Sequence, residues 1–234
     1  MNRPELQGSY LDLTTPHVAD AIMRLGIPVR CAPANVRPVW SGSHIVGRVQ
    51  PARHYGSVDV FLEALEHAES GDVLVVDNGG RDDEACVGDL IALEVRQAGL
   101  AGIVIWGLHR DTRELRTIRL PVFSQGAFPA GPQRLDAQEP DALTSVRVGD
   151  HVVTGDDFVL ADDDGVLFLP LDRVADIAEL ACSIRDTERH QAARMNLGDS
   201  FRDQARFSDY LAARDHDGVT FRQHLRTIGG AIEE

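Results

Sequence analysis

Two short runs of β-branched and aliphatic residues, 73–77 (Val-Leu-Val-Val-Asp) and 103–106 (Ile-Val-Ile-Trp), narrow the choice of fold more than any other feature. Ser70-Gly71-Asp72 precedes the first run and Asn78-Gly79-Gly80 ends it; Gly107 ends the second. Runs of this length and composition, bounded by turn residues, read as buried strands. Between them a helical segment runs from about Asp89 to Ala98, with Leu90, Ile91, Glu94, Val95 and Ala98 at helical spacing and Gly99 closing it. A strand, a helix and a strand in that order form a parallel pair with a right-handed crossover. The fold class expected is therefore α/β.

The flanks extend this unit. Thr15-Pro16 opens a helix, Thr as cap and Pro in the first turn, and Val18, Ala21, Ile22 and Leu25 follow before Gly26. Residues 45–50 alternate like a strand, Val58, Phe61, Leu62 and Leu65 mark a second amphipathic helix, and 121–123 (Pro-Val-Phe) read as a third strand. From Val146 to Pro170, apolar runs separated by Gly-Asp and Asp-Gly pairs predict antiparallel hairpins. Beyond Pro170 the chain reads helical over about 171–195, 200–213 and 219–227. These patterns divide the chain into a core domain, 1–170, and a helical extension, 171–234, that packs on the core or on a neighbouring subunit.

Composition excludes several chemistries. All 23 basic residues are arginine, so there is no lysine for a Schiff base, a pyridoxal anchor or a P-loop. Carbanion chemistry in such a chain needs a metal or another electron sink. A net charge of −14 without clustered arginine argues against nucleic acid as partner. No run of about 18 apolar residues suggests a membrane span. Cys31, Cys86 and Cys182 are widely spaced with no CxxC pair, which predicts buried or inert thiols in a reducing, cytoplasmic setting.

In open parallel sheets, ligands bind beyond the carboxyl ends of strands. Two such ends occur here, Asn78-Gly79-Gly80 and the stretch Gly107-Leu108-His109-Arg110-Asp111. The helix between them begins near Gly88-Asp89-Leu90, where unsatisfied amides favour an anion. Arg110 can grip a carboxylate bidentately, and Asp111 is a hard oxygen ligand suited to Mg²⁺. Together they suit a small 2-oxo acid. The same residues also fit a plain surface ion pair beside a plain helix start.

Asp89, twenty residues, then Arg110-Asp111 give a D-x20-R-D pattern. With it the chain resembles the RraA-like family, which includes the class II 4-hydroxy-4-methyl-2-oxoglutarate aldolases. The resemblance runs from the helix at Thr15 through 71–77 and the central motif to Asp164-Gly165-Val166 and Pro170. It implies a swivelling β/β/α domain assembled as a homotrimer, sometimes doubled to a hexamer, with the site at the subunit interface. It implies that Asp111 holds Mg²⁺ (or Mn²⁺) largely through waters. It implies that Arg110 and the backbone amides of Gly88, Asp89, Leu90 and Ile91 bind the pyruvyl carboxylate, and that Asp89 positions a metal-linked water. A neighbour's C-terminal helix would add a glutamate, Glu188 by its place before Gly198, with Asp186 as rival.

The implied reaction is cleavage of a 4-hydroxy-2-oxo acid to pyruvate. The cation stabilises an enolate, and a bound water or hydroxide removes the C4 hydroxyl proton. Oxaloacetate decarboxylation passes through the same enolate. The alternative implied by the resemblance is a non-catalytic regulator that binds a ribonuclease. A menaquinone methyltransferase, another label attached to such proteins, is rejected for want of a glycine-rich cofactor motif.

Trp106 and His109 depart from the usual pattern of the Gly-x-x-Arg-Asp loop. Trp106 either caps the strand against the core or shapes a pocket; His109 is read as a surface group, with a base or ligand as the other option. Asp162-Asp163-Asp164-Gly165 reads as a hairpin turn, not a cation loop, and 81–84 (Arg-Asp-Asp-Glu) as a solvated loop. His54 and His67 have no zinc spacing.

Overall fold

The two central runs lie side by side as parallel strands, in register from Val73 opposite Gly102 to Asp77 opposite Trp106. The computed structural model describes residues 3–228. In chain order its elements are α1 (Arg3–Tyr10), α2 (Thr15–Arg24), β1 (Arg37–Pro38), β2 (Ile45–Arg53), α3 (Asp59–His67), β3 (Val73–Asp77), β4 (Ala85–Val87), α4 (Asp89–Gln97), β5 (Gly102–Trp106), β6 (Leu108–His109), α5 (Thr112–Ile118) and β7 (Val122–Ser124). There follow β8 (Ser145–Val148), β9 (His151–Thr154), β10 (Asp157–Asp162), β11 (Gly165–Pro170), α6 (Val174–Asn196), α7 (Phe201–Gln204), α8 (Phe207–Asp217) and α9 (Phe221–Ile228). The main sheet has the order β1-β7-β5-β3-β2-β10-β11. Strands β2, β3, β5 and β7 are mutually parallel, while β1 and β10 join antiparallel. The fold is α/β with C-terminal helices.

Alternation along β3 explains why its run is continuously apolar. Leu74 and Val76 pack with Val60, Phe61, Ala92, Val95 and Leu115 of the helices α3, α4 and α5. Val73 and Val75 face the other way, onto Val146, Val148 and Val153 of the β8–β9 hairpin. A parallel strand covered on both faces has no polar side to show. A third apolar cluster joins Tyr10, Val18, Ile22 and Ile177 of α1, α2 and α6 to Phe158, Leu160, Leu167 and Leu169 of β10 and β11.

The structure corrects several local expectations. The cap of α2 is Thr14, not Thr15. The Thr15 amide and hydroxyl both donate to the buried Asp162 carboxylate, each at 2.7 Å, which draws Thr15 into the first turn. Strand β2 continues to Arg53, beyond the alternating stretch. The segment at 200–213 is broken at Arg206, whose φ is +46°, so α7 and α8 are separate helices. Helix α8 packs with α9 through Phe207, Tyr210, Phe221 and His224. Of the cysteines, Cys86 is buried and its thiol pKa is pushed up by burial, but Cys31 is exposed. The tight β10–β11 turn is a hairpin as expected, and the Asp163 carboxylate accepts from the Gly42 amide and the Ser41 hydroxyl. Among the described residues no helix is long and apolar enough to cross a membrane.

Candidate functional site

Beside the main sheet, β4 and β6 form a short parallel pair, Ala85 opposite Leu108 and Val87 opposite His109. Both strands end at the same level, and the Arg110 amide donates to Val87 O at 2.9 Å. Gly88 therefore stands next to Arg110 although 22 positions separate them. Gly88 is the N-cap of α4 and Asp89 its first residue.

Asp111 adopts left-handed backbone angles, φ 59° and ψ 39°, rarely populated by a residue with a side chain. Its carboxylate is turned back toward α4. Oδ2 accepts from the Asp89 amide at 3.3 Å and lies 3.4 Å from Arg110 Nε. A Cβ at position 88 would collide with this oxygen and would sit 3.2 Å from Arg110 Cγ, so any larger residue would displace the Asp111 carboxylate from its place over the backbone. One carboxylate oxygen thus meets a helix-terminal amide, a guanidinium edge and a bare backbone, a seat suited to an anion. The Leu90 amide is taken by Asp89 Oδ1 at 2.8 Å. Asp89 Oδ2 and Asp111 Oδ1 have no hydrogen-bond partner among the described residues.

The structure brings together Gly88, Asp89, Leu90, Arg110 and Asp111. Arg110 is 50% and Asp111 34% exposed. Leu90 is exposed beside them, while the Ile91 side chain turns into the core, leaving its backbone alone on the site's side. Gly131, in the long β7–β8 connection, belongs to the same surroundings: a Cβ there would lie 3.0 Å from Arg110 Nη1. The Gly131-Pro132 dipeptide was the only local sign of it in the sequence.

The residues fit a hard cation. Asp89 and Asp111 offer oxygen donors only, one oxygen of each without a partner, over a glycine floor. Among the described residues no three His, Cys, Asp or Glu side chains are arranged so that they could hold a metal ion by themselves. A cation at Asp111 would therefore keep most of its shell as water, as Mg²⁺ commonly does.

Other expected residues fall elsewhere. Glu188 on α6 faces α2, its Oε2 3.3 Å from His17 Nε2. Asp186 pairs with Arg185 at 2.7 Å. Within the chain neither shares a hydrogen bond or ion pair with Asp89, Arg110 or Asp111. His109 is buried, not a surface group. Its Nδ1 lies 2.6 Å from Ser124 Oγ and its Nε2 3.0 Å from Thr112 Oγ1, so both ring nitrogens are engaged. Burial lowers its pKa.

A separate cleft of about 570 Å³ opens at the carboxyl ends of β2, β3 and β5. Arg53, Asn78, Trp106, Arg134 and Arg147 are among its lining residues, and Gly88, Asp89, Arg110 and Asp111 are not. Trp106 packs against the apolar cluster under β8–β9, and it also lines this cleft. Glu84, read as part of a solvated loop, is buried. It accepts from Arg134 Nε at 3.1 Å and Nη2 at 2.9 Å. Arg134 Nη2 also donates to Asn78 Oδ1, which lies 2.8 Å from His54 Nδ1. Burial holds the His54 pKa below its usual value.

Comparison with known proteins places this architecture. A protein from Legionella pneumophila, DlpA, is 26% identical over 228 residues; these are 92% of this chain but 35% of that protein, so the chain spans about a third of its length. A 4-hydroxy-4-methyl-2-oxoglutarate aldolase of Thermus thermophilus is 34% identical over 128 residues, 55% of this chain and 77% of the enzyme. Among solved structures, RraAS2 of Streptomyces coelicolor, described as an unusual member of the RNase ES inhibitor RraA family, superposes with a TM-score of 0.72. It is 25% identical, over 83% of this chain and all of that one. A protein of uncharacterized function from Pseudomonas syringae shares the fold with a TM-score of 0.75 at 24% identity, over 87% of this chain and 97% of that one. The model of the RraA-like family (Aldolase/RraA) matches residues 15–168, so this chain belongs to the RraA-like family.

Proposed function

We propose that the chain is a divalent-cation-dependent lyase that cleaves a small 4-hydroxy-2-oxo acid, such as 4-hydroxy-4-methyl-2-oxoglutarate, to pyruvate, and that also decarboxylates oxaloacetate. The observation that carries this reading is the convergence of Gly88, Arg110 and Asp111 on one anion seat at the start of α4. The Thermus aldolase, 34% identical over 55% of the chain, supports it.

Each residue has a task that its position allows. The first amides of α4 and the Arg110 guanidinium take the substrate carboxylate. Their fixed geometry needs no reorganisation as charge develops next to them. Asp111, and Asp89 at one remove, would hold Mg²⁺ or Mn²⁺. When bound, the cation supplies the Lewis acidity that a lysine imine supplies in other aldolases, which a lysine-free chain requires. Asp89, through its unpartnered Oδ2, would orient a water that accepts the C4 hydroxyl proton. Glu188, turned toward His17 in its own chain, is the carboxylate we assign to a neighbouring copy's site in a trimer or hexamer. Mixing Asp111→Ala with Glu188→Ala subunits should then restore activity that neither has alone.

The deciding assay is pyruvate release coupled to lactate dehydrogenase. It uses both substrates, Mg²⁺ or EDTA, the unaltered chain, Asp111→Ala and a protein-free blank for spontaneous oxaloacetate decay. Metal-dependent pyruvate that disappears in the variant is expected. No pyruvate above the blank from either substrate would sink the reading. The second reading, a regulator that binds a ribonuclease, draws on the RNase-inhibitor description of the Streptomyces relative and on the net charge of −14, which suits a basic partner. Retention of a purified endoribonuclease by the chain, without pyruvate release, would favour it.

A further inference from the structure

The cleft at the carboxyl edge of the main sheet is lined mainly by charged and polar residues. In a chain of net charge −14, four arginines line it, Arg53, Arg81, Arg134 and Arg147, against Asp77, Asp136 and Glu139. Asp77 has no oxygen to spare: Oδ1 accepts from the Gly79 amide at 2.8 Å and Oδ2 from the Arg147 amide at 2.9 Å. Arg53 is held by Glu139 and Asp141, Arg134 by Glu84 and Asp136, and Arg81 by Asp83. The Arg147 guanidinium has no partner among the described residues.

The unmatched polar groups here are mostly donors. Besides Arg147, the indole N–H of Trp106 has no acceptor among the described residues. The Asn78 side chain is fully buried, and its Nδ2 has no acceptor because His54 and Arg134 both engage its Oδ1. The Nε2 of His54, equally buried, lacks a partner too. Buried polar groups without partners are rare and carry a desolvation penalty, which marks this wall as unusual, but Asn78 Nδ2 and His54 Nε2 have no accessible surface. The donors of residues that keep exposed surface in the cleft, the Arg147 guanidinium and the Trp106 indole N–H, want acceptor oxygens. The rings of Trp106 and Tyr55 give the cleft organic walls, and the Tyr55 hydroxyl is already tied to Asp59 at 2.6 Å. A volume of about 570 Å³ is that of a small-molecule site, too large for a lone inorganic anion.

We infer that this cleft is a binding site for a small organic di- or tricarboxylate, held by Arg147 and the Trp106 indole and separate from the seat at Arg110. It does not rest on the lyase reading. One carboxylate would meet Arg147 at the open rim. The carbon body would lie against Trp106 and Tyr55, with Asn78 and His54 behind them.

The chain has two tryptophans, Trp40 and Trp106, so Trp40→Phe leaves Trp106 as the sole indole reporter. Succinate, citrate and inorganic phosphate are titrated against its emission, and calorimetry on the chain that keeps Trp40 gives the same comparison should the substitution perturb folding. A saturable response to succinate or citrate is expected. Arg147→Ala, at an exposed strand position, should weaken it at least about tenfold, the scale of one charge-assisted hydrogen bond. Arg110→Ala should leave it unchanged. Absence of saturable binding by both methods would overturn the assignment. So would equal loss in Arg110→Ala, which would put the ligand in the other site, and so would tighter binding of phosphate than of either carboxylate.

Discussion

Arg110 and Asp111 meet at the end of a two-residue strand, half open to water. Arg134 and Glu84 meet beneath the edge of the main sheet, where Glu84 is 4% exposed. Each is an arginine–carboxylate pair, yet the neighbourhoods differ in what they complete. Glu84 receives two guanidinium nitrogens, Arg134 goes on to Asn78, and Asn78 reaches His54. Removing one member there strands charge and dipoles away from water. At Arg110 and Asp111 one oxygen contacts two donors loosely, at 3.3 and 3.4 Å, and its twin on Asp111 has no partner among the described residues. A closed buried pair fixes a loop, whereas an open pair over glycine can exchange its partner for a ligand.

That contrast can be broken by measurement. Glu84→Ala should lower unfolding stability by about 3 kcal/mol, since it leaves Arg134 short of a partner in a buried setting. Asp111→Ala, at an exposed pair, should change it by less than about 1 kcal/mol. Urea midpoints that fall equally in both variants would erase the distinction. Gly88→Ala should cut metal-dependent pyruvate release on the order of a hundredfold, the scale for displacing a reacting group by about 1 Å. Its Cβ would take the position of Asp111 Oδ2, and circular dichroism should show the fold retained. Arg110→Lys should raise KM about tenfold with kcat nearly kept, because an ammonium cannot reproduce the forked contact. A fall in kcat alone would instead place Arg110 at the chemical step.

The smallest effect concerns pH. His54 faces Asn78, Arg134, Glu84 and Asp136, and burial holds its pKa below the ordinary 6.5. In the unfolded chain it takes up a proton more readily, so its contribution is intact above about pH 6.5 and is lost as pH falls from there toward its folded pKa. His54→Gln should flatten the decline in urea midpoint between about pH 7.5 and about pH 5.5. An unchanged slope would mean that other groups govern acid stability.

The central fold was legible because β3, α4 and β5 each satisfy a simple period over five to nine residues. The pair β4–β6 was not, because strands of three and two residues carry no period and exist only through each other. Gly88, Asp89, Arg110 and Asp111 could be proposed from strand ends and a helix start. Their contact depends on the left-handed turn at Asp111, for which no glycine or asparagine gave warning. Glu84 and His109 look solvated in the sequence, yet are buried, for a common reason. The partners that bury them, Arg134 and Ser124, lie 50 and 15 positions away. The donors lining the second cleft are equally scattered; of them the sequence offered only Trp106 at the end of a strand.

Asp111 Oδ2 already rests on the first amide of α4, so an arriving carboxylate meets a resident competitor tethered to the same chain. Its effective concentration is on the order of millimolar or higher. Anion affinity at this site therefore measures an exchange rather than the filling of a vacancy. An intact site should look weak toward oxalate or pyruvate in cation-free buffer and tighten when a divalent cation engages Asp111. Replacing Asp111 with alanine vacates the amide while removing the cation's anchor. Simple anion binding and turnover should then move in opposite directions in one variant.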